Sequence, residues 1–541
     1  MLLFFIGLIL SRAQAKNAAS CQTCHRAMRS SCGLTCQACH LSAEAKTNPA
    51  LPGGHPAVIA NPSAPEWWNG KCLSCHQKEI SDFKNSLHYS NAGIIDQTRF
   101  LFGKNKQLLQ TSRDAWRALS SVKKIKKPTP AGLVDHLLAG KCLTCHFASD
   151  QRKATTGRRH AAGCAACHIA YDQQTGKVRH GHRFQKRPDD AVCLSCHSGN
   201  HVGADYYGFF EHDYHRAYQT PYAARPIFGA FQHRLRQDIH RQKGMQCIDC
   251  HREHSGHSKP VQFEGQNPNV RCTDCHGGFK TKPNRANTGA RLFSTAPVAH
   301  QSFHANVRCS ACHAQWSYQD YGLHLFLDQS NHYEIWQDYL WQGDGALSKL
   351  LQKQLALPPD KREPAYSLNS FSGRHMPGAW YVGWSFRRWE NPILGRDTQG
   401  KFAIIRPLFQ YFVTYVDSLN RVWLDSQKPK RSDGSIGWNW DAYIPHTIAR
   451  QGRNCESCHG NVKAVGLGIR QNATDSVANA ITLPSAPVLP GSRLLNDKER
   501  ERLLRKDKEY RYWRTKDFLQ KGMLKLFGND SPETSNGRQK K

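Results

Sequence analysis

One five-residue pattern dominates this sequence: Cys-x-x-Cys followed at once by His. It occurs at Cys21, Cys24, His25; Cys36, Cys39, His40; Cys72, Cys75, His76; Cys142, Cys145, His146; and Cys164, Cys167, His168. It recurs at Cys193, Cys196, His197; Cys247, Cys250, His251; Cys272, Cys275, His276; Cys309, Cys312, His313; and Cys455, Cys458, His459. His makes up 29 of 541 residues, so chance would place one after a given pair about once in nineteen, and ten in ten excludes coincidence. The pairs take all but one of the 21 cysteines. Cys32 is left over and is expected to be a free buried thiol, with an unusual ligand or an intermolecular link as alternatives. Zinc ribbons and disulfide frameworks also use paired cysteines, but neither requires a His after each pair.

Covalent haem attachment does require it. Two thiols three positions apart on a tight turn add to the two vinyl groups of one haem, and the adjacent His is held against the iron as proximal ligand. Through these motifs, from residue 21 to 459, the chain resembles the multihaem c-type cytochromes. The resemblance implies ten haem c groups, twenty thioether cysteines, ten proximal His and attachment outside the cytoplasmic membrane. Residues 2–10 (LLFFIGLIL), followed by Ala13, Gln14 and Ala15, have the layout of a cleavable export signal over residues 1–15, although no Lys or Arg precedes the apolar block. The expected location is periplasmic, or else outer-membrane-associated or extracellular. No apolar run reaches the roughly 18 residues that cross a bilayer.

Each iron also needs a sixth ligand. After the signal the methionines are Met28, Met245, Met376 and Met523, so bis-His ligation and a low-potential set are the default. Six spare His precede an attachment pair: His136, His160, His182, His240, His304 and His446. In the resembled family an upstream His of this kind commonly ligates a neighbouring haem. His55 and His88 are the nearest candidates for the first three haems. His254 closes a Cys-His-x-x-His run that locally resembles the periplasmic decahaem cytochromes of outer-membrane conduits. His180, His257, His300 and His332 are expected to be surface or hydrogen-bonded residues, not ligands.

Nine motifs crowd into residues 21–313, about one per 33 residues, which leaves room only for short helices and loops around the cofactors. The expected fold is therefore mostly α and irregular, with low secondary-structure content around stacked haems. One amphipathic helix is predicted from Arg113 to Lys126, N-capped by Ser112. Residues 314–454 hold nine of the thirteen Trp and no cysteine. Their aromatic and β-branched runs predict a small antiparallel β module near residues 380–425, with Phe409–Asp417 and Arg421–Asp425 as a hairpin. The expected domains are a nine-haem region (16–325), an aromatic-rich α+β domain with the tenth haem (326–462), a linker (463–495), a charged helix (496–527) expected to dock back on the protein, and a disordered tail (528–541).

The net charge is 74 − 42 = +32. Haem propionates offset much of it, which undercuts a nucleic-acid partner and favours acidic proteins or anionic surfaces. The leading expectation is an exported decahaem cytochrome that carries electrons by hopping through bis-His haems in a periplasmic or extracellular respiratory chain. Its partners would be a membrane quinol-oxidising cytochrome or other redox proteins, and an outer-membrane conduit. No catalytic side chain is required. Two alternatives stand beside it. One is a multihaem reductase of nitrogen or sulfur compounds with an open-site haem, most reasonably the tenth; the octahaem families that suggest it also use Cys-x-x-Cys-Lys, which is absent here. The other is a subunit of an extracellular cytochrome filament.

Overall fold

The computed structural model describes residues 33–41, 58–109, 113–125, 127–149, 160–172, 179, 183–199, 203–211, 232–251, 272–276, 300, 304–334, 345–390, 392–465, 492–505 and 508–527. The expected signal, Cys21, Cys24, His25, Cys32, His55, His180, His182, His254, His257, most of the expected linker and the tail lie outside these residues.

In the first half, short helices surround the motifs. Helix α1 spans Ala92–Leu101 and α2 spans Pro130–Leu137. At the start of α2 the Thr129 hydroxyl accepts from the Gly132 N–H, and Pro130 sits where a missing N–H costs nothing. A π turn, Leu138–Cys142, continues it into the fourth motif. Gly140 on that turn is pressed against the sheet, where a Cβ would stand 2.8 Å from Met376 Cε. The helix predicted over Arg113–Lys126 is instead a 3-10 helix, Ala115–Ser121. Two features favour the tighter form. Trp116 and Leu119, three apart, share one buried edge, while the Ser120 and Ser121 hydroxyls donate to the Arg117 and Ala118 carbonyls at 2.7 and 2.8 Å.

The strands among the described residues are β1 Phe209–Glu211, β2 Gln232–Arg234, β3 Ser317–Asp328, β4 Tyr366–Leu368, β5 His375–Pro377, β6 Ala379–Glu390, β7 Ile393–Arg396, β8 Phe402–Leu408, β9 Tyr411–Val416, β10 Val422–Gln427, β11 Asn439–Ala442 and β12 Arg493–Leu494. They form two four-stranded sheets, ordered β10–β9–β3–β6 and β11–β8–β7–β12, and two two-stranded antiparallel sheets, β1–β2 and β4–β5. The predicted hairpin corresponds to β9–β10. Asp417 Oδ1 closes its turn by accepting from the Leu419 and Arg421 N–H groups, both at 2.9 Å, and Asn420 takes the left-handed conformation at φ 58°.

The β region differs from the expected small antiparallel module. It begins at Ser317, so it straddles the boundary expected at residue 325. Its central strand β3 pairs antiparallel with β6 but parallel with β9, Leu323 lying opposite Tyr411. Strand β8 belongs to the second sheet, whose edge β12 comes from the last residues of the expected linker. Alternation along β3 then builds two cores. Leu325 and Leu327 join Trp68, Trp116, Leu133, Leu137 and Phe147 of the motif-bearing half, whereas Phe326 packs with Leu347 and Leu351 of the helix Gly345–Leu355. The sheet is thus built into the motif-bearing half.

The charged C-terminal segment is two helices, α3 Asp497–Leu504 and α4 Lys508–Phe527, separated at Arg505 by extended backbone (ψ 121°). Leu503 and Leu504 of α3 pack with Leu394, Ile404 and Tyr443, whereas α4 exposes Tyr512, Phe518 and Leu519. Docking back therefore describes α3 and not the exposed row of α4. No helix among the described residues is long and apolar enough to cross a membrane.

Candidate haem-binding sites

Each described motif turns sharply. The His N–H donates to the first Cys carbonyl at 2.9–3.0 Å in the motifs ending at His76, His168, His197, His251, His276 and His459. That single turn places both sulfurs and the imidazole on one side of the backbone. No group of three or more His, Cys, Asp or Glu among the described residues could hold a metal ion. Among the described residues, then, the pairs do not form the four-ligand cluster that a zinc site requires. Burial pushes the Cys142, Cys164 and Cys167 thiols up to about 12, so they are not thiolates at neutral pH.

Motifs distant in sequence abut one another. The thiols of Cys193 and Cys247 are hydrogen-bonding neighbours, as are those of Cys272 and Cys309. Cys196 Sγ lies 3.5 Å from the Cys145 carbonyl oxygen. Cys72 and Cys164, Cys167 and Cys193, and Cys312 and Cys458 are within electrostatic reach.

Five motif His rings each face a second His ring. The centroid separations are 6.2 Å for His197 and His88, 6.1 Å for His276 and His240, 6.5 Å for His251 and His446, 6.0 Å for His313 and His300, and 6.4 Å for His459 and His304. Two imidazoles on opposite faces of one iron, bonded through nitrogens about 2.0 Å away, put their centroids about 6.2 Å apart, because each centroid lies about 1.1 Å behind its nitrogen. The described pairs bracket that value, so their spacing would admit an iron porphyrin between the two rings.

Hydrogen bonds set the tautomers. His40, His168, His313 and His459 bring Nδ1 to the carbonyls of Ile59, Gln185, Ala449 and Leu503 at 2.9, 2.7, 3.0 and 2.7 Å. A carbonyl only accepts, so each Nδ1 carries the proton and Nε2 keeps its lone pair for a metal. Buried His160 follows the same rule: Nδ1 donates to the Ala161 carbonyl at 2.6 Å, and Nε2 has no protein partner.

His136 has the opposite polarity. The Trp380 indole N–H donates to its Nδ1 at 3.0 Å, so in the neutral ring the proton sits on Nε2. Burial holds its pKa down, at about 4. His146 also departs from the pattern. Its N–H bonds the Leu143 carbonyl, its Nε2 lies 3.1 Å from the Tyr89 carbonyl, and Trp116, Phe147 and Phe371 surround the ring. His76 is half exposed, with Nδ1 3.8 Å from Glu79.

Two groups of residues escaped sequence reasoning. His300, expected to be a bystander, faces His313; its place nine residues before Cys309 is the upstream spacing that marked the other candidates. Asp238 and Asp205, both buried, stand beside His240 and His446. The Asp-x-His pattern at Asp238 was readable, but no local signal links Asp205 to His446.

Residues 239–322 match the family model described as cytochrome c3. The match spans the motifs from Cys247 to His313 and supports a multihaem c-type cytochrome with covalently bound haem c. No curated protein and no solved structure matches the chain.

Proposed function

We propose that this chain is an exported decahaem c-type cytochrome that transfers electrons in a periplasmic or extracellular respiratory chain. The observation that supports the reading is the set of five facing His pairs at 6.0–6.5 Å, each of which could hold one haem iron between its two imidazoles. When bound, each haem supplies a one-electron iron couple held at low potential by two imidazoles. The protein's own part is to position that couple. The motif turns bring sulfurs and imidazole together, backbone carbonyls fix the Nδ1–H tautomer, and abutting motifs such as Cys193 and Cys247 keep successive sites adjacent. The excess of Lys and Arg suits acidic redox partners or an anionic surface.

The open-site reductase reading had its best position at the tenth motif. There His304 faces His459 and the Leu503 carbonyl holds His459 Nδ1, so these two residues would hold the haem from both sides. Intact mass and electron paramagnetic resonance of the mature protein test the proposal. The expected result is ten added haems with low-spin ferric signals from the paired sites. A protein without covalent haem would overturn it, and a high-spin signal shifted by nitrite or hydroxylamine would return the reductase reading.

A further inference from the structure

Asp238 caps the short helix Ile239–Gln242 and is only 2% exposed. Its Oδ1 accepts from the His240 backbone N–H at 2.8 Å and stands 2.8 Å from His240 Nδ1. Its Oδ2 accepts from the Ile448 N–H, also at 2.8 Å. No Lys or Arg among the described residues pairs with this carboxylate. His240 in turn faces His276.

The group that holds His240 Nδ1 differs in kind from those at the motif histidines. At His40, His168, His313 and His459 a neutral carbonyl holds Nδ1, whereas at His240 a buried carboxylate does. Asp205 is not equivalent. It stands 3.7 Å from His446 Nδ1, beyond hydrogen-bond reach, and spends its oxygens on the Tyr443 hydroxyl and the His446 and Gly203 N–H groups.

A hydrogen bond from Nδ1–H to a carboxylate shifts electron density onto Nε2 and makes the imidazole a more basic ligand. An unneutralised negative charge beside the site also favours the oxidised, more positive iron over the reduced one. Both effects act in the same direction. Resting on the haem reading above, we propose that Asp238 is a positioning residue that lowers the reduction potential of the haem held by His276 and His240, setting it below sites tuned by backbone carbonyls. The couple involves one electron, with no bond made or broken.

The placement gives this a consequence for the relay. Ile448, which Asp238 also holds, lies in the strap Tyr443–Ala449. That strap carries His446, facing His251, and the Ala449 carbonyl, which orients His313. One carboxylate thus tunes the site at His276 and fixes the backbone that orients ligands of the preceding and following motifs.

Potentiometric titration of the holoprotein, followed by visible absorbance and electron paramagnetic resonance, tests the proposal. His240→Met first identifies the component belonging to this site, since a Met ligand raises its potential. In Asp238→Asn the same component is expected to move furthest to a more positive potential, with smaller shifts at the sites of His251 and His313 and all signals remaining low-spin. If the Asn variant loses that haem, Asp238→Ser, which keeps a capping oxygen and removes the charge, carries the measurement. An unmoved component in a haem-replete variant, or an equal shift of every component, would overturn the role of Asp238. Absence of haem from the wild-type protein would instead overturn the function on which it rests.

Discussion

At the residue scale, the position of one proton separates histidines that the sequence treats alike. His136 and His240 both lie a few residues before a Cys pair, and both read as distal ligands. His240 has Nδ1 on a carboxylate and faces a motif His, whereas His136 accepts a hydrogen bond at Nδ1 and must carry its proton on Nε2. Iron binding through Nε2 would then require loss of that proton, leaving an imidazolate. We therefore expect His136→Leu to leave the haem spectrum unchanged and to destabilise the protein. The buried Trp380 N–H would lose its acceptor, at a cost of about 1–3 kcal/mol, read as a lower midpoint in chemical denaturation. His304→Ala should do the reverse, turning one low-spin haem high-spin because the ring facing His459 is gone. A spectral change in the His136 variant would sink this distinction.

At the element scale, what was legible depended on how far apart the interacting residues lie in sequence. The attachment turns were readable because five consecutive residues contain the whole geometry. The β9–β10 hairpin was readable because Asp417, Leu419, Asn420 and Arg421 close it locally. The parallel pairing of β3 with β9 was not, since periodicity within either strand says nothing about a partner some ninety residues away. The same limit hid the pairing of His304 with His459 and of His88 with His197. Helix α3 shows a third case, in which the charge pattern predicted a helix but not its anchor. Glu499 takes two hydrogen bonds from Arg493, at 2.6 and 2.8 Å, and one from Arg396 at 3.0 Å on β7. Arg493, then the Asn496 N–H and Arg396, hold the Glu499 carboxyl down at about 2, against an ordinary value of 4.5. Because the folded value is the lower one, the stabilisation is complete above about 4.5 and is lost as pH falls towards 2. Hydrogen exchange of residues 492–505, corrected for the intrinsic rate, should accelerate over that window. Glu499→Gln should abolish the acceleration, and an equally pH-dependent Gln variant would show that the anchor lies elsewhere.

At the scale of the whole molecule, charge and redox state are coupled. The polypeptide contributes +32, and a ferric bis-His haem with two propionates carries about −1, a ferrous one about −2. The ten haems of the proposal would leave roughly +20 in the oxidised protein and roughly +10 in the reduced one. Fields from exposed charges are screened within about 10 Å at 0.1 M salt, so this difference acts at close range, where an acidic partner or anionic surface would dock. The row Tyr512, Phe518 and Leu519 on α4 adds apolar area beside Arg511, Arg514 and Lys516, and Tyr510 ties the start of α4 to the tenth motif through the Glu456 carboxylate. If the tenth site is where electrons leave, a surface that attracts anions would adjoin it, and each electron loaded would weaken the attraction. The holoprotein should elute from a cation exchanger at lower salt when fully reduced than when oxidised, and its affinity for an acidic partner should fall on reduction in the same buffer. Identical elution of the two states would mean that proton uptake accompanies each electron and cancels its charge, and the coupling between loading and release would then be lost.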